Sequence, residues 1–227
     1  MTAAEQPVER RIEKTHRREQ ILAAAFDEFA INGYAATRLD DVARRARIAK
    51  GTVFLHFKNK RLLFRSVVRH MIHPVLGDVE AFVAGFPGSA EDLLRELLSR
   101  PYSEVVKNEK ARGIIRLLIA EARNFPQLSD IYHREIIRPG MTAIRLVLEK
   151  GIAAGEFRRT ATVEFPQILV APMVLAVVWT LVNGERHLLD LDSFMAAHVE
   201  FALDGLRQAS ERRESNRASV KLPRETQ

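Results

Sequence analysis

Apolar residues recur at intervals of three and four along almost the whole chain, and strand-like alternation is scarce. Gly and Pro fall about one helix length apart, so the pattern predicts an all-α protein. From Arg17 to Asn32 the residues Ile21, Leu22, Ala25, Phe26 and Phe29 share one helical face, and Asn32-Gly33 closes the helix. Thr37 is placed as the N-cap of a short helix through Ala46, with Asp40 and Asp41 in its first turn, where the helix dipole favours them. A three-residue break, Arg47-Ile48-Ala49, precedes another short helix from Lys50 to about His56. Asn59 then caps a longer helix from Lys60 towards His73, where Pro74 interferes.

Further along, Phe86-Pro87-Gly88-Ser89 is a loop, and Ser89 with Asp92 forms a capping-box pattern. Helices are expected at 90–99, 102–108 and 110–124. Another starts near Gln127, is kinked or split by Pro139-Gly140, and runs to Gly151–Gly155. The last two are expected at 162–183 and 192–210, and the polar tail 211–227 lacks any apolar period, which predicts disorder. The run from Phe165 to Val182 approaches membrane-span length. Pro166, Gln167 and Pro172 interrupt it, and a helix apolar all round also suits burial against a partner subunit, which is the reading adopted.

Charge changes this picture by its position. The net charge of +6 on 227 residues is mild. Residues 1–61 hold 13 Lys and Arg against 8 Asp and Glu, while 62–206 hold 16 against 18. The basic excess therefore sits in the N-terminal quarter, with a further surplus in the tail. That distribution points to an anionic partner for the N-terminal region. The absence of cysteine excludes disulfides, a thiolate metal site and a Cys nucleophile. The charged N-terminus has no signal-peptide character, so a cytoplasmic protein is expected.

Two short helices joined by a three-residue break in a basic setting match the helix-turn-helix plan. Ala43 is small where the helices approach, and Ile48 and Val53 point back towards Leu39 and Val42. The carrying residues are Ile21-Leu22-x-Ala24-Ala25, Phe29, Gly33-Tyr34, Thr37, Asp41-Val42-Ala43 and Ala46. They continue with Gly51-Thr52-Val53-Phe54, His56-Phe57, Lys58-Asn59-Lys60 and Leu62-Leu63. Over about residues 17–68 this constellation resembles the N-terminal domain of the TetR/AcrR family of transcriptional regulators. The resemblance implies a three-helix helix-turn-helix DNA-binding domain followed by a larger helical ligand-binding and dimerisation domain. The expected organisation is a basic arm at 1–16, the DNA-binding domain at 17–61, the helical domain at 62–210 and the tail at 211–227.

Chemistry suggests the DNA contacts. Lys50, Gly51, Thr52 and Phe54 open the recognition helix, the end that enters a major groove. Thr52 can hydrogen-bond, Phe54 can pack on a thymine methyl, and Gly51 permits close backbone approach. Thr37 and Arg38 are expected to clamp the DNA backbone, and the resemblance implies phosphate contacts for His56 and Lys60. Arg10, Arg11, Lys14, Arg17 and Arg18 form an arm that could track phosphates or simply be solvated. The chain also departs from the family pattern. Arg47 stands where Gly is usual in the turn and adds a charge near the phosphates, Ala49 where Ser or Thr caps, and Phe54-Leu55 where Tyr is frequent.

No phosphate loop, H-E-x-x-H or G-x-S-x-G occurs, so no enzymatic activity and no cofactor is expected. His70 and His73 lie three apart on one helix, but without a third ligand no metal site is assigned. Phe82, Phe86, Leu94, Tyr102 and Leu118 are candidates for lining an effector pocket, as are Phe125, Tyr132 and Trp179. Each also fits an ordinary core role. Glu121 borders Leu117 and Leu118, so its carboxylate either orients a ligand or is structurally paired. Ile168, Leu169, Pro172, Leu175, Val178 and Trp179 are expected to pair with their copies in a homodimer, together with Phe194, His198 and Phe201. The expected function is that of a repressor released from a palindromic double-stranded operator by a small, largely apolar effector, without membrane attachment. A ligand-independent regulator and an activator are the alternatives.

Overall fold

The computed structural model describes residues 5–76, 79–184 and 186–207. Among these residues the chain is helical, and the only strand-type pairing is a single bridge between Phe157 and Arg207. The helices fall into two compact units.

The first unit contains α1 (Glu5–Ala36), α2 (Leu39–Arg45), α3 (Lys50–His56) and α4 (Lys60–Leu76), together with α7 (Glu109–Glu121) and α8 (Pro126–Tyr132). Ile21, Ala25 and Phe29 of α1 bury completely, and α4 supplies Leu63, Phe64 and Val67. Ile114, Leu117 and Leu118 of α7 and Leu128 of α8 join the same core, which also takes in Val42, Ala43 and Val53 from the two short helices. Helices of seven residues cannot hold together alone, so this burial supports them. Helix α1 is bent at Gly33, whose backbone is left-handed at φ 75°. A side chain there would be strained and would also meet the Glu121 carboxylate.

The second unit contains α5 (Val79–Gly85), α6 (Ala90–Pro101), α9 (Arg138–Ala153), α10 (Gln167–Asn183) and α11 (Leu191–Leu206). Its core is built from Leu93, Leu94 and Leu98 of α6, Val147 and Leu148 of α9, Ala176 and Val177 of α10, and Val199 and Leu203 of α11. The capping box at α6 is present as the sequence predicts. Ser89 Oγ accepts from the Asp92 amide at 3.0 Å, and an Asp92 carboxylate oxygen accepts from the Ser89 amide at 3.2 Å.

Several boundaries differ from the sequence reading. Helix α1 starts at Glu5, so residues 5–16, read as an arm, are the first turns of that helix. Their many Glu, Arg and Lys residues are good helix formers, which the apolar period alone does not reveal. A boundary at residue 61 is replaced by a division in which 62–76 and 108–138 group with the first unit. The expected helix at 102–108 is one wide turn, Tyr102–Val106. A second wide turn, His133–Ile137, precedes Pro139, whose missing N–H leaves an inner carbonyl without its usual donor. Pro74 does not stop α4, and the short α5 was not anticipated. The tail 211–227 lies outside the described residues.

One buried polar set stands out in the second unit. His198 Nε2 donates to the Leu169 carbonyl at 2.8 Å, which leaves Nδ1 to accept from the Tyr102 hydroxyl at 2.9 Å. Burial lowers the His198 pKa and pushes that of Tyr102 up to about 12. A histidine whose folded pKa is depressed adds stability that is complete above its unfolded pKa near 6.5 and is lost as pH falls below it. The thermal midpoint is therefore expected to fall between about pH 7 and pH 5. His198→Gln should show a shallower fall in the same scan, and an identical pH slope would count against this assignment.

Candidate nucleic-acid interface

The helix-turn-helix is closed by its own backbone. Ala46 and Arg47 donate to the carbonyls of Val42 and Arg44 at 2.9 and 3.1 Å, and Ile48 donates to that of Ala43 at 3.1 Å. The turn takes φ 55° at Arg47, the single left-handed non-glycine among the described residues. This is the strained conformation expected where the family has Gly. Ala49 is the N-cap of α3 and gives no side-chain bond, so this end is stabilised by less than a Ser or Thr would supply. Val53 faces inward and is completely buried. The opposite face carries Lys50, Gly51, Phe54 and Leu55, and Leu55 is 87% exposed.

Polar contacts fix the cations around this face. Lys50 Nζ donates to Asp40 at 2.7 Å and lies 5.8 Å from the Phe54 ring centroid. Lys60 Nζ donates to the carbonyls of Tyr34 and Ala35 at 2.7 and 3.0 Å, which takes two of its three N–H groups. Burial lowers its pKa, the Glu121 carboxylate opposing the shift. His56 is half-buried beside Phe57. Arg38 is exposed at the N-cap of α2, and Asn59 caps α4 through the Leu62 amide at 2.9 Å. In the arm, Arg17 pairs with Glu13 and Arg18 lies over Phe57, while the side chains of Arg10, Arg11 and Lys14 lie outside the described residues.

Two expectations are corrected here. Thr37 is 1% exposed, and its hydroxyl donates to the carbonyls of Gly33 (2.7 Å) and Glu28 (3.1 Å). It therefore locks the α1–α2 corner from inside and presents no side chain to DNA. Arg38, without a capping bond, takes the N-cap position. Glu121 has its two carboxylate oxygens on the amides of Tyr34 (2.7 Å) and Ala35 (2.9 Å), so it is a backbone clamp and not a ligand anchor.

Residues 21–67 match the family model of bacterial regulatory proteins of the tetR family, and residues 87–191 match that of a tetracyclin repressor-like C-terminal domain. The chain belongs to the TetR family. It is accordingly a DNA-binding transcriptional regulator, a class that is not enzymatic. The regulator AcrR of Shigella flexneri is 30% identical over 107 residues, a stretch that spans about half of each protein (47% of this chain and 49% of AcrR). The repressor KstR2 of Rhodococcus jostii is 28% identical over 198 residues, 85% of this chain and 92% of KstR2. The crystal structure of FadR from Bacillus subtilis with stearoyl-CoA shares the TetR fold at a TM-score of 0.66 and 19% identity, covering 82% of this chain and 98% of FadR.

In this TetR-family chain the residues named for an effector do not form one set. Leu118, Phe125 and Tyr132 pack in the core of the first unit, where burial raises the Tyr132 pKa. In the second unit Leu94 and Tyr102 are closed in the core, while Phe82 packs edge-on against Phe86 at 5.9 Å and is partly exposed. Trp179 is exposed and donates its ring N–H to the His187 carbonyl at 2.8 Å. Of the residues named for a dimer, Ile168, Leu175, Val178, Trp179 and Phe201 are exposed, and Pro172 and Phe194 are half-buried. Leu169 and His198 are buried, so they support this face from beneath. An open apolar groove on it runs between Pro172, Leu175, Phe194 and Phe201. No described helix, α10 over most of 165–182 included, is long and apolar enough to cross a membrane. Among the described residues no group of three His, Cys, Asp or Glu could hold a metal, and the His73 side chain lies outside them.

The sequence reading also missed Glu28. It is buried, accepts from Arg45 at 2.6 Å and from Asn32 at 2.7 Å, and so ties α2 to α1. Its signal was its place on the stripe of Ile21 and Ala25. Arg47→Gly should stabilise the fold by about 1 kcal/mol in chemical denaturation by relieving the left-handed backbone. A loss of stability would show that the Arg47 side chain supplies more than its backbone costs.

Proposed function

We propose that this regulator is a cytoplasmic homodimeric repressor that holds a pseudo-palindromic operator and is released by a small, largely apolar effector. The observation that carries the reading is the outward face of α3. Lys50, Gly51, Thr52, Phe54 and Leu55 surround a fully buried Val53, so the helix is anchored on one side and offers the other to DNA. Thr52 and Phe54 read bases, Gly51 permits close approach, and Lys50, Arg38, Arg47, His56 and the remaining N–H of Lys60 hold phosphates. Replacing Thr52 or Phe54 should alter sequence preference more than affinity for random duplex. Lys60→Ala and His56→Ala should weaken both and flatten the salt dependence, and an unchanged salt slope would refute the phosphate assignments.

The exposed apolar face of α10 and α11 is the support for a homodimer. Ile168, Leu175, Val178, Trp179 and Phe201 leave a contiguous helix pair without cover in a single chain. Large apolar patches of this kind mark interfaces, and two copies would form a four-helix contact. Phe201 is 80% exposed, so Phe201→Glu should leave the subunit folded and separate the dimer. Sedimentation should then show monomers, and operator affinity should fall about a hundredfold or more as bivalent binding is lost. A dimeric Glu variant would overturn the interface.

For the effector, Phe82, Phe86 and Trp179 are the expected residues that retain exposed aromatic surface in the second unit. An apolar effector suits side chains of that kind, and the FadR fold is known with stearoyl-CoA. A thermal-shift screen of apolar molecules, read together with operator release, tests the reading. The effector can shift the equilibrium only by its differential affinity for the two states.

A further inference from the structure

Helix α1 breaks at Gly33, and the peptides just after the break are gripped from both sides. From one side, Glu121 at the end of α7 spreads its carboxylate across two successive amides, with Oε1 on Tyr34 and Oε2 on Ala35. On the other side, Lys60 at the start of α4 donates to the carbonyls of the same two residues. Both sets are charge-assisted, and the peptide between Tyr34 and Ala35 has its carbonyl on the ammonium and its N–H on the carboxylate, so its dipole lies between two charges that face its favourable ends. The Tyr34 ring is fixed as well. It packs against Phe29, Phe64 and Phe125 at 5.7, 5.5 and 5.3 Å, with Lys60 over it at 4.6 Å.

This grip lies two residues before Thr37, whose buried hydroxyl closes the corner into α2. Little slack is left between the gripped peptides and the helix-turn-helix. Gly33 is fitted to the arrangement, since a Cβ at that position would run into Glu121 Oε1. We infer that Glu121 is a positioning residue for operator binding, holding the Tyr34–Ala35 peptides so that α2 and α3 meet DNA in the productive orientation. Glu121 touches no DNA in this proposal, which rests on the operator-binding reading above. It lies in the stretch that matches the C-terminal family model yet acts on the DNA-binding helices. A displacement of the end of α7 by an ångström or so would stretch both bonds at once.

The test compares Glu121→Gln, Glu121→Asp and Gly33→Ala with wild type in the full-length protein. Anisotropy titrations use an operator selected by the wild type and a random duplex, over a range of salt. Thermal unfolding and the amide resonances of Tyr34 and Ala35 are recorded in parallel. Gln keeps the size of Glu but turns an NH2 towards one of the two amides. Its operator affinity should fall about tenfold or more, with random-duplex affinity and salt slope unchanged. The two amide resonances should move upfield as the charged acceptor is lost. Asp keeps the charge and should recover part of the loss, whereas Gly33→Ala displaces the carboxylate and should repeat it. Operator binding by Glu121→Gln equal to wild type would overturn the proposal. So would an equal loss on both duplexes, or a loss that only follows unfolding at the assay temperature. A wild type that cannot tell operator from random duplex would overturn the operator reading itself and the proposal with it.

Discussion

A helix that breaks inside a folded unit leaves amides and carbonyls without their helical partners, and those screened from water need new ones. In this protein the break at Gly33 sets that requirement, and the first unit is arranged around meeting it. Glu121 takes the amides, Lys60 the carbonyls, and the Thr37 hydroxyl bonds the carbonyls of Gly33 and Glu28. The Tyr34 ring gathers aromatic residues from α1, α4 and the approach to α8. Four stretches of chain thus converge on one corner. The helix-turn-helix grows directly out of it, and on the positioning role proposed for Glu121 the precision of that corner becomes the precision of DNA recognition.

What the sequence revealed follows from the range of the interactions involved. Helical periodicity is local, so α3 was legible to the residue, as was the capping box of Ser89 and Asp92. The helix-turn-helix was legible for the same reason, since its small, apolar and turn residues lie within a few tens of positions. Glu121 and Tyr34 are 87 residues apart, and the stripe of α7 showed only that the carboxylate turned inward. Its partners are backbone amides, which carry no mark in a sequence. Thr37 shows a related ambiguity, because a hydroxyl before a helix can cap that helix or bond back to the preceding one. The effector residues were chosen as large and apolar, a property that reports burial and not which core a residue joins.

The recognition helix itself is held by packing more than by local backbone chemistry. Its N-cap is an alanine and the turn before it carries a left-handed arginine, so two devices that usually stabilise such a corner are weak here. Val53, the Ala43–Ile48 hydrogen bond and the Glu28–Arg45 pair compensate from the buried side. Strain at Arg47 is thus kept at the surface, where its charge faces outward, while the buried side stays fully paired.

The contact between Lys50 and Asp40 has a consequence for how DNA is met. Both side chains are largely in water, so their pairing adds little to stability. What it does is park the ammonium, over the Phe54 ring, before any nucleic acid arrives. On the phosphate contact proposed for Lys50, an arriving phosphate would take the place of one carboxylate oxygen, with part of the lysine's rotational freedom already lost. Asp40 would then stand in for the operator backbone, a weak internal competitor for the same ammonium. Random duplex and operator would meet the same competitor, so only a sequence offering further contacts to α3 would exceed it by a wide margin.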